Sequence, residues 1–433
     1  MKKSRSENEK RSHIRNLMLS MKEAIDSLDL ADDIEMSVLT LHAEFLHIFD
    51  DVKDFREKGK VVYRLSDLLL LMLLYILQSG RQSISNLAYW CDAMKQPLEE
   101  AGIIHDGQVP SHDTFRRITL LLDPASVRQA VIGRFHTYLK QFEAADRDPE
   151  HKTYTLLNID GQAFNGSGRS DGTRSPSRNL SSLNVYSAGM YLNLCASIIP
   201  EKTNEIPVAQ ALLGTMNLKG VIVTADALHA QRETCGIIKQ QKGHFVITVK
   251  DNQGTLLQEI IDRFTLEKYQ KRISVIERDH VAFRIYTLPS NYASDGFTGL
   301  KAFVEMTSRK KKGTVCTRYF ITSLKDPEVI CDAIEDRWSV ENDLHRNKDL
   351  YCGEDSFRIA NANACGVMGA LNDVAVAVMK LYQVLTGKPT FISARTWFST
   401  DVIGATRAMV AVEKSEVITS KITAALESKR KKH

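Results

Sequence analysis

Several features that mark specialised protein classes are missing from this chain, and each absence narrows the reading. Its seven cysteines are an odd number and include no C-x-x-C pair, so neither a disulfide framework nor a structural zinc site is expected; they read as the reduced thiols of a cytosolic protein. No apolar run approaches the roughly 20 residues that a bilayer-spanning helix needs. The longest, Leu68 to Leu77, reads as a buried helix. The start, Met1-Lys2-Lys3-Ser4-Arg5, is polar and leads into no apolar signal core, so neither export nor a membrane is expected. Nucleotide and protease signatures are missing as well: there is no G-x-x-x-x-G-K-S/T, no G-x-G-x-x-G after a strand and no H-E-x-x-H to make a zinc site of His229, three residues after Asp226. Gly166-Ser167-Gly168 lacks the spacing of a hydrolase nucleophile elbow. Charge of one sign is scarce too. With 57 basic and 53 acidic residues the net charge is +4, which permits nucleic-acid binding without predicting it.

What is present is an ordinary globular composition, 43% apolar and 25% charged, over 433 residues. At roughly 150 residues per domain that suits one large core and a smaller domain. Residues 1–40 are charged, helix-prone and only loosely periodic, and read as an extension. Residues 41–142 carry a helical pattern, with runs at Leu65 to Leu77, Ile84 to Trp90 and Thr114 to Leu122. In Pro110-Ser111-His112-Asp113-Thr114, Ser111 or Asp113 is available as an N-cap. Glu143 to Lys152 is polar and reads as a linker. From Tyr154 short β-prone runs alternate with helical ones, which predicts a mixed α/β core over 153–385. Within it, about 270–325 is strand-rich, with a hairpin turn at Arg309-Lys310-Lys311-Lys312-Gly313. After Pro327 the pattern is helical through Glu341 to about Leu385. Residues 386–433 form a helical segment ending in a basic tail.

Two β-prone runs, Leu156-Leu157-Asn158-Ile159-Asp160 and Val221-Ile222-Val223-Thr224-Ala225-Asp226, each end in an aspartate. Strand ends of mixed α/β sheets open on the crevice where ligands bind. A turn at Asp160-Gly161 and a helix cap at Asp226 account for the same residues structurally. In Arg337-Trp338-Ser339-Val340-Glu341-Asn342-Asp343-Leu344-His345-Arg346-Asn347-Lys348, helical spacing stacks Arg337, Glu341, His345 and Lys348 on one face. Such a face is either a salt-bridge ladder or a carboxylate that holds a cation beside groups that hold phosphate. Trp338 reads as a core residue.

From about 40 to 385 the chain resembles the H-repeat-associated group of bacterial insertion-sequence transposases, within the DDE superfamily. The matching phrases run in order: Pro110-Ser111-His112-Asp113-Thr114-Phe115, Asp160-Gly161, Lys202-Thr203-Asn204-Glu205-Ile206-Pro207, Thr224-Ala225-Asp226-Ala227-Leu228-His229-Ala230-Gln231, Val249-Lys250-Asp251-Asn252-Gln253, Tyr319-Phe320-Ile321-Thr322-Ser323-Leu324, and Glu341-Asn342-Asp343-Leu344-His345 with Gly353-Glu354-Asp355. Arg337, Glu341 and Lys348 also fit the wider Y-x2-R-x3-E-x6-K signature, with Ile334 in the tyrosine's place. The chain departs from the group at Gln162 and Asn165, where basic residues are usual, at Arg337 and Arg346, and at His280-Val281-Ala282.

The resemblance implies an RNase H-like mixed sheet with a β-rich insertion, preceded by an all-α N-terminal domain. It implies a catalytic triad of Asp160, Asp226 and Glu341 holding two Mg²⁺ or Mn²⁺ ions, with Arg337 and Lys348 on the phosphate. It further implies a cytoplasmic, nucleoid-associated bacterial enzyme that works as a homodimer on double-stranded DNA, cutting element ends and joining them to target. Arg116, Arg117, His345, Arg337 and Lys348 are the candidate DNA contacts. For Arg116 and Arg117 a plain solvated helix face is an equal reading. A DNA-binding descendant that no longer cuts, or a nuclease that cuts without joining, remains a competing reading.

Overall fold

The computed structural model describes residues 48–131, 154–199 and 204–404, apart from 58, 81–82, 165–166, 168–178, 188–191, 279, 293–295, 310–313, 338–343, 355–360 and 386–389. The expected N-terminal extension, the linker, Asn165, the 310–313 turn, Trp338, Glu341 and the basic tail lie outside the described residues.

The helical region begins with α1 (Leu65–Ser79), which is apolar all round and accordingly buried all round. It stops at Gly80, whose left-handed φ of 60° lets its N–H bond back to Ile76 O. Then come α2 (Ile84–Ala93), capped by Ser83, α3 (Lys95–Glu100) and α4 (His112–Leu121). Ser111 is the cap of α4, accepting from the Thr114 N–H as its sequence position predicts. A further helical segment covers 124–131.

The sheet region follows as β1 (Thr155–Phe164), β2 (Leu180–Ser187), β3 (Leu192–Ile198), α5 (Glu205–Thr215), β4 (Val221–Ala225), α6 (Arg232–Gln240), β5 (His244–Val249) and α7 (Gly254–Thr265). Four strands then complete the sheet: β6 (Ile273–Arg278), β7 (Val281–Thr287), β8 (Ala302–Arg309) and β9 (Val315–Thr322). The nine strands lie in the order β3-β2-β1-β4-β5-β9-β8-β7-β6. β1, β4 and β5 are parallel neighbours, while β2 and β3 fold back antiparallel on one side and β9 to β6 on the other. This is the expected RNase H-like arrangement, with the β-rich segment extending the same sheet beyond β5.

The odd-numbered β1 residues Leu157 and Ile159 join Val223, Ala225, Phe245 and Ile247 in a core under α5, α6 and α7. The opposite face, reached by the even-numbered β1 residues, meets α8 (Pro327–Asp336) through Ile222, Val246, Ile330 and Ile334. There Arg278 of the edge strand β6 is buried against Glu328, Asp332 and Glu335 of α8 at 2.5, 2.7 and 2.9 Å, which fastens the edge of the extended sheet to α8.

The helical expectation from Pro327 to Leu385 needs correcting. The described helices are α8, α9 (Arg346–Tyr351), α10 (Ala362–Leu385) and α11 (Phe391–Thr400), and the expected run is interrupted between α9 and α10. After α9, Gly353 takes a left-handed φ of 65°, which ends the helix there. α10 is the one described helix long and apolar enough to cross a membrane, and 89% of its apolar window is buried inside the protein. It packs against α1, α4, α11 and β3. Asn363 near its start donates to the carbonyls of Thr119, Leu120 and Leu122, closing the end of α4. The N-terminal helices therefore share one core with the two C-terminal ones.

Candidate active site

β1 pairs with β4 from Thr155↔Val221 to Ile159↔Ala225, and the next residues along are Asp160 and Asp226. Strands in a sheet lie about 4.8 Å apart, so the two carboxylates leave neighbouring parallel strands at the same level. The Asp160-Gly161 turn reading is corrected here. β1 does not end at the aspartate but runs on to Phe164 as a hairpin arm with β2, placing Asp160 opposite Asn184. The cap reading of Asp226 is right: its side chain accepts from the Ala227 N–H at the start of a 3₁₀ turn, Ala227–His229. That turn is held by Asn252 and Gln253, which donate to the carbonyls of Ala227 and Ala230 at 2.7 and 2.9 Å.

β5 delivers a cation to the same rim. Lys250 Nζ lies 3.2 Å from Asp226 Oδ1, and Arg337 Nη2, at the end of α8, lies 3.8 Å from that oxygen. Arg337 also donates to Thr248 Oγ1 at 2.9 Å. Burial works to raise the Asp226 pKa, but the Ala227 N–H, Arg337 and Lys250 outweigh it and hold the carboxyl below its ordinary value. Asp226 is thus ionised at neutral pH. Lys250 carries no site role in the sequence reading; its place just past a β-prone run, like the two aspartates, was the available signal.

Glu205 and His229 form a further pair beside Gly161. The Glu205 carboxylate, on the first turn of α5, fills the space where a side chain at Gly161 would stand. Its Oε2 lies 3.7 Å from Nε2 of His229, a ring 1% exposed with neither nitrogen hydrogen-bonded. His229 faces this carboxylate, and the described residues include no group of three or more His, Cys, Asp or Glu side chains arranged to hold a metal ion.

Of the expected phosphate contacts, Lys348 is enclosed and His345 is partly exposed beside Asp160. His345 Nδ1 lies 3.5 Å from Asp160 Oδ2, and Nε2 3.3 Å from Asn184 Nδ2. Burial, then the charge of Lys348, pushes the His345 pKa down to about 3, so the ring is neutral. Lys348 is 1% exposed, with Nζ 3.0 Å from Asp373 Oδ1 and 3.2 Å from Glu354 Oε1. It donates to Gln162 Oε1 at 3.0 Å, while the Gln162 amide donates to Glu354. Arg128, from the helical region, reaches Asp373 at 3.1 Å. Among the described residues, two buried cations thus face two buried carboxylates, and a neutral Gln162 leaves that charge balanced. Burial works to lower the Lys348 pKa, but Asp373 and Glu354 hold it above the ordinary lysine value. By contrast Arg116 and Arg117 are exposed on α4, and Arg337 reaches the rim.

The neutral His345 has a stability consequence. An unfolded chain binds a proton on this ring below pH 6.5, the unperturbed value, while the folded ring stays neutral down to about 3. The unfolded state therefore gains from acid, and stability present above 6.5 is lost as pH falls, by up to about 1.4 kcal/mol per pH unit. Urea unfolding in metal-free buffer between pH 7 and 4 should show a steeper loss for wild type than for His345→Gln; equal slopes would place the acid sensitivity elsewhere.

A carboxylate donor set of this kind suits a hard divalent cation. Asp160 and Asp226 meet that requirement on adjacent strands. The third expected member, Glu341, lies outside the described residues.

Among curated proteins the chain is 26% identical to the H repeat-associated protein YhhI of Escherichia coli strain K12 over 350 residues, covering 76% of this chain and 88% of that one. It is likewise 26% identical to YbfL of the same strain over 351 residues, with the same coverage. A solved synaptic complex of piggyBac transposase with hairpin DNA aligns over 96% of this chain and 82% of that one, at 11% identity and a TM-score of 0.39, too slight a likeness to bear on the fold. Residues 46–133 match the domain described as DDE_Tnp_1-associated, over the helices that pack on α10. Residues 151–371, more than half of the chain and including both rim aspartates, match the transposase DDE domain, and the chain belongs to that family.

Proposed function

We propose that this protein is a DDE transposase that cuts double-stranded DNA at the ends of an insertion sequence and joins those ends to target DNA. The observation that carries the reading is the pair Asp160 and Asp226, set level at the ends of adjacent parallel strands with Lys250 and Arg337 beside them, in a chain of this family. Asp160, Asp226 and Glu341 would hold Mg²⁺ or Mn²⁺, two ions in all. When bound, the cations lower the pKa of water and neutralise charge on the reacting phosphate. In the first step a water oxygen attacks the scissile phosphorus and the bond to the 3′ oxygen breaks, leaving a 3′-hydroxyl. In the second, that hydroxyl attacks a target phosphorus in line, the target's own bond from phosphorus to its 3′ oxygen breaks, and the released 3′ oxygen takes up the proton that the attacking hydroxyl loses. Lys250 and Arg337 both lie beside Asp226, and were that carboxylate to hold a cation both would be available to phosphate oxygens, where the planar guanidinium can bind in two-pronged fashion. Arg116 and Arg117 are positioned on an exposed helix face to follow the backbone of a terminal repeat, a contact that weakens steeply with salt. Two copies acting on paired ends would complete the reaction.

A second reading, a DNA-binding protein that no longer cuts, is favoured by one observation. Gln162 replaces the lysine usual in the resembling group, and Lys348 beside it is sequestered. A labelled duplex carrying the element's terminal repeat separates the two readings. With Mg²⁺ or Mn²⁺, wild type is expected to nick at the repeat end and Glu341→Gln is not. Tight binding with no cutting by either would leave the non-cutting reading.

A further inference from the structure

A line of polar side chains, buried as far as Asn184, runs from the N-terminal helices to Asp160. Arg128 Nε donates to Asp373 Oδ2 at 3.1 Å. Asn193 Nδ2 donates to the same oxygen at 2.9 Å and to Asn184 Oδ1 at 2.8 Å. Asn184 Nδ2 faces His345 Nε2 at 3.3 Å, and His345 Nδ1 faces Asp160 Oδ2 at 3.5 Å. Asp373, Asn193 and Asn184 are each no more than 4% exposed, so water does not offer alternative partners.

The orientation of each amide follows from the one before. A carboxylate only accepts, so Asn193 must turn its amino group to Asp373. That amino group also meets Asn184, which must therefore present its carbonyl oxygen there and its amino group to the ring. An amide N–H₂ has no lone pair to offer, so His345 Nε2 must be the acceptor. The ring proton is left on Nδ1, the nitrogen that faces Asp160.

The backbone is shaped for this line. Asp160 and Asn184 are direct cross-strand partners and share a sheet face. In a regular ladder Asn193 would fall on the opposite face, since Asn184 pairs with Ala196 and Val185 with Cys195. A β-bulge between Val185 and Tyr186 shifts the register so that Tyr186 pairs with Asn193. The shift turns Asn193 onto the face that carries Asn184 and Asp160. Bulges beside active sites commonly re-aim a side chain in this way.

We propose that Asp373, Asn193 and Asn184 fix His345 in its Nδ1–H tautomer so that it orients the catalytic carboxylate of Asp160, making the two asparagines and His345 positioning residues of the active site. The proposal rests on the transposase reading for its catalytic consequence, but its hydrogen-bond polarity stands apart from that reading. Outer partners of this kind, which orient a metal-binding side chain without touching the metal, are commonly worth 10–100-fold in metal affinity or rate.

The test uses full-length protein carrying ¹⁵N-labelled histidine, with His345 assigned by its absence from His345→Gln. Wild type is expected to show the Nδ1–H ring. Asn184→Ala and Asn193→Ala, confirmed folded by thermal melting, should populate the Nε2–H ring. A wild-type ring in the Nε2–H or doubly protonated form overturns the proposal even if both variants fail to fold; so does an Nδ1–H ring that persists unchanged in a folded Asn184→Ala. In the nicking assay both variants should lose about 10–100-fold in kcat with KM for DNA unchanged, and an unaltered kcat overturns the positioning role. If wild type cuts no DNA at all, the transposase reading fails, and the ring spectrum alone decides whether the polarity exists.

Discussion

Lys348→Met is expected to lower folding stability by about 3–5 kcal/mol, because it leaves buried carboxylates without their cation. Methionine nearly matches lysine in length, so the loss reports charge and not a cavity. Glu354 and Asp373 are 2% and 4% exposed and share this one ammonium between them, with Arg128 as a second cation on Asp373. Urea unfolding at pH 7 measures the effect. Adding Glu354→Gln to Lys348→Met should restore part of the loss, since a neutral amide tolerates the site better than an uncompensated carboxylate. A loss below about 1 kcal/mol would mean the acids find other partners and would remove the structural role. The same burial separates two accounts of this lysine. If it contacted DNA phosphate, a folded variant would bind repeat DNA more weakly with a shallower salt dependence; the packing predicts no such change.

Asp160→Asn is expected to abolish metal-dependent nicking, a fall of about a thousandfold or more, the scale on which removing one charge-stabilising group from an active site is felt. Asparagine keeps the shape and can still face His345. The strand pairing at Asp160↔Asn184 is backbone and should be untouched. Binding to repeat DNA should be nearly intact, and Mn²⁺ binding, read by the metal's own magnetic resonance signal, should weaken. Undiminished nicking by this variant would remove Asp160 from the active site and with it the assignment of the triad.

Much of this site was legible in the sequence because it is carried by local patterns. Leu156 to Asp160 and Val221 to Asp226 are apolar runs of strand length, and each places an acid at the crevice end. Ser111 is readable as a cap from its place before a helical run. Less legible was the fate of the charged residues after Asp336. Helical spacing put Arg337, His345 and Lys348 on one face, but spacing along one helix does not say which neighbours each side chain meets. Arg337 reaches Asp226, His345 reaches Asp160, and Lys348 turns inward. Its destination depends on Asp373 and Arg128, at positions with no sequence relation to it. Asn193 was invisible for another reason: a one-residue bulge changes the face of every side chain beyond it, and nothing in Leu192-Asn193-Leu194-Cys195 announces one.

Hydrophobic period, capping and ordered phrases act over short stretches of chain, so most strands and helices, the two aspartates at the strand ends and the family resemblance could be read directly. Which charges meet water and which meet each other is settled by packing between distant segments. That choice rests on burial, which leaves one lysine open to a ligand and makes an enclosed one a structural ion, and burial belongs to no single stretch of chain.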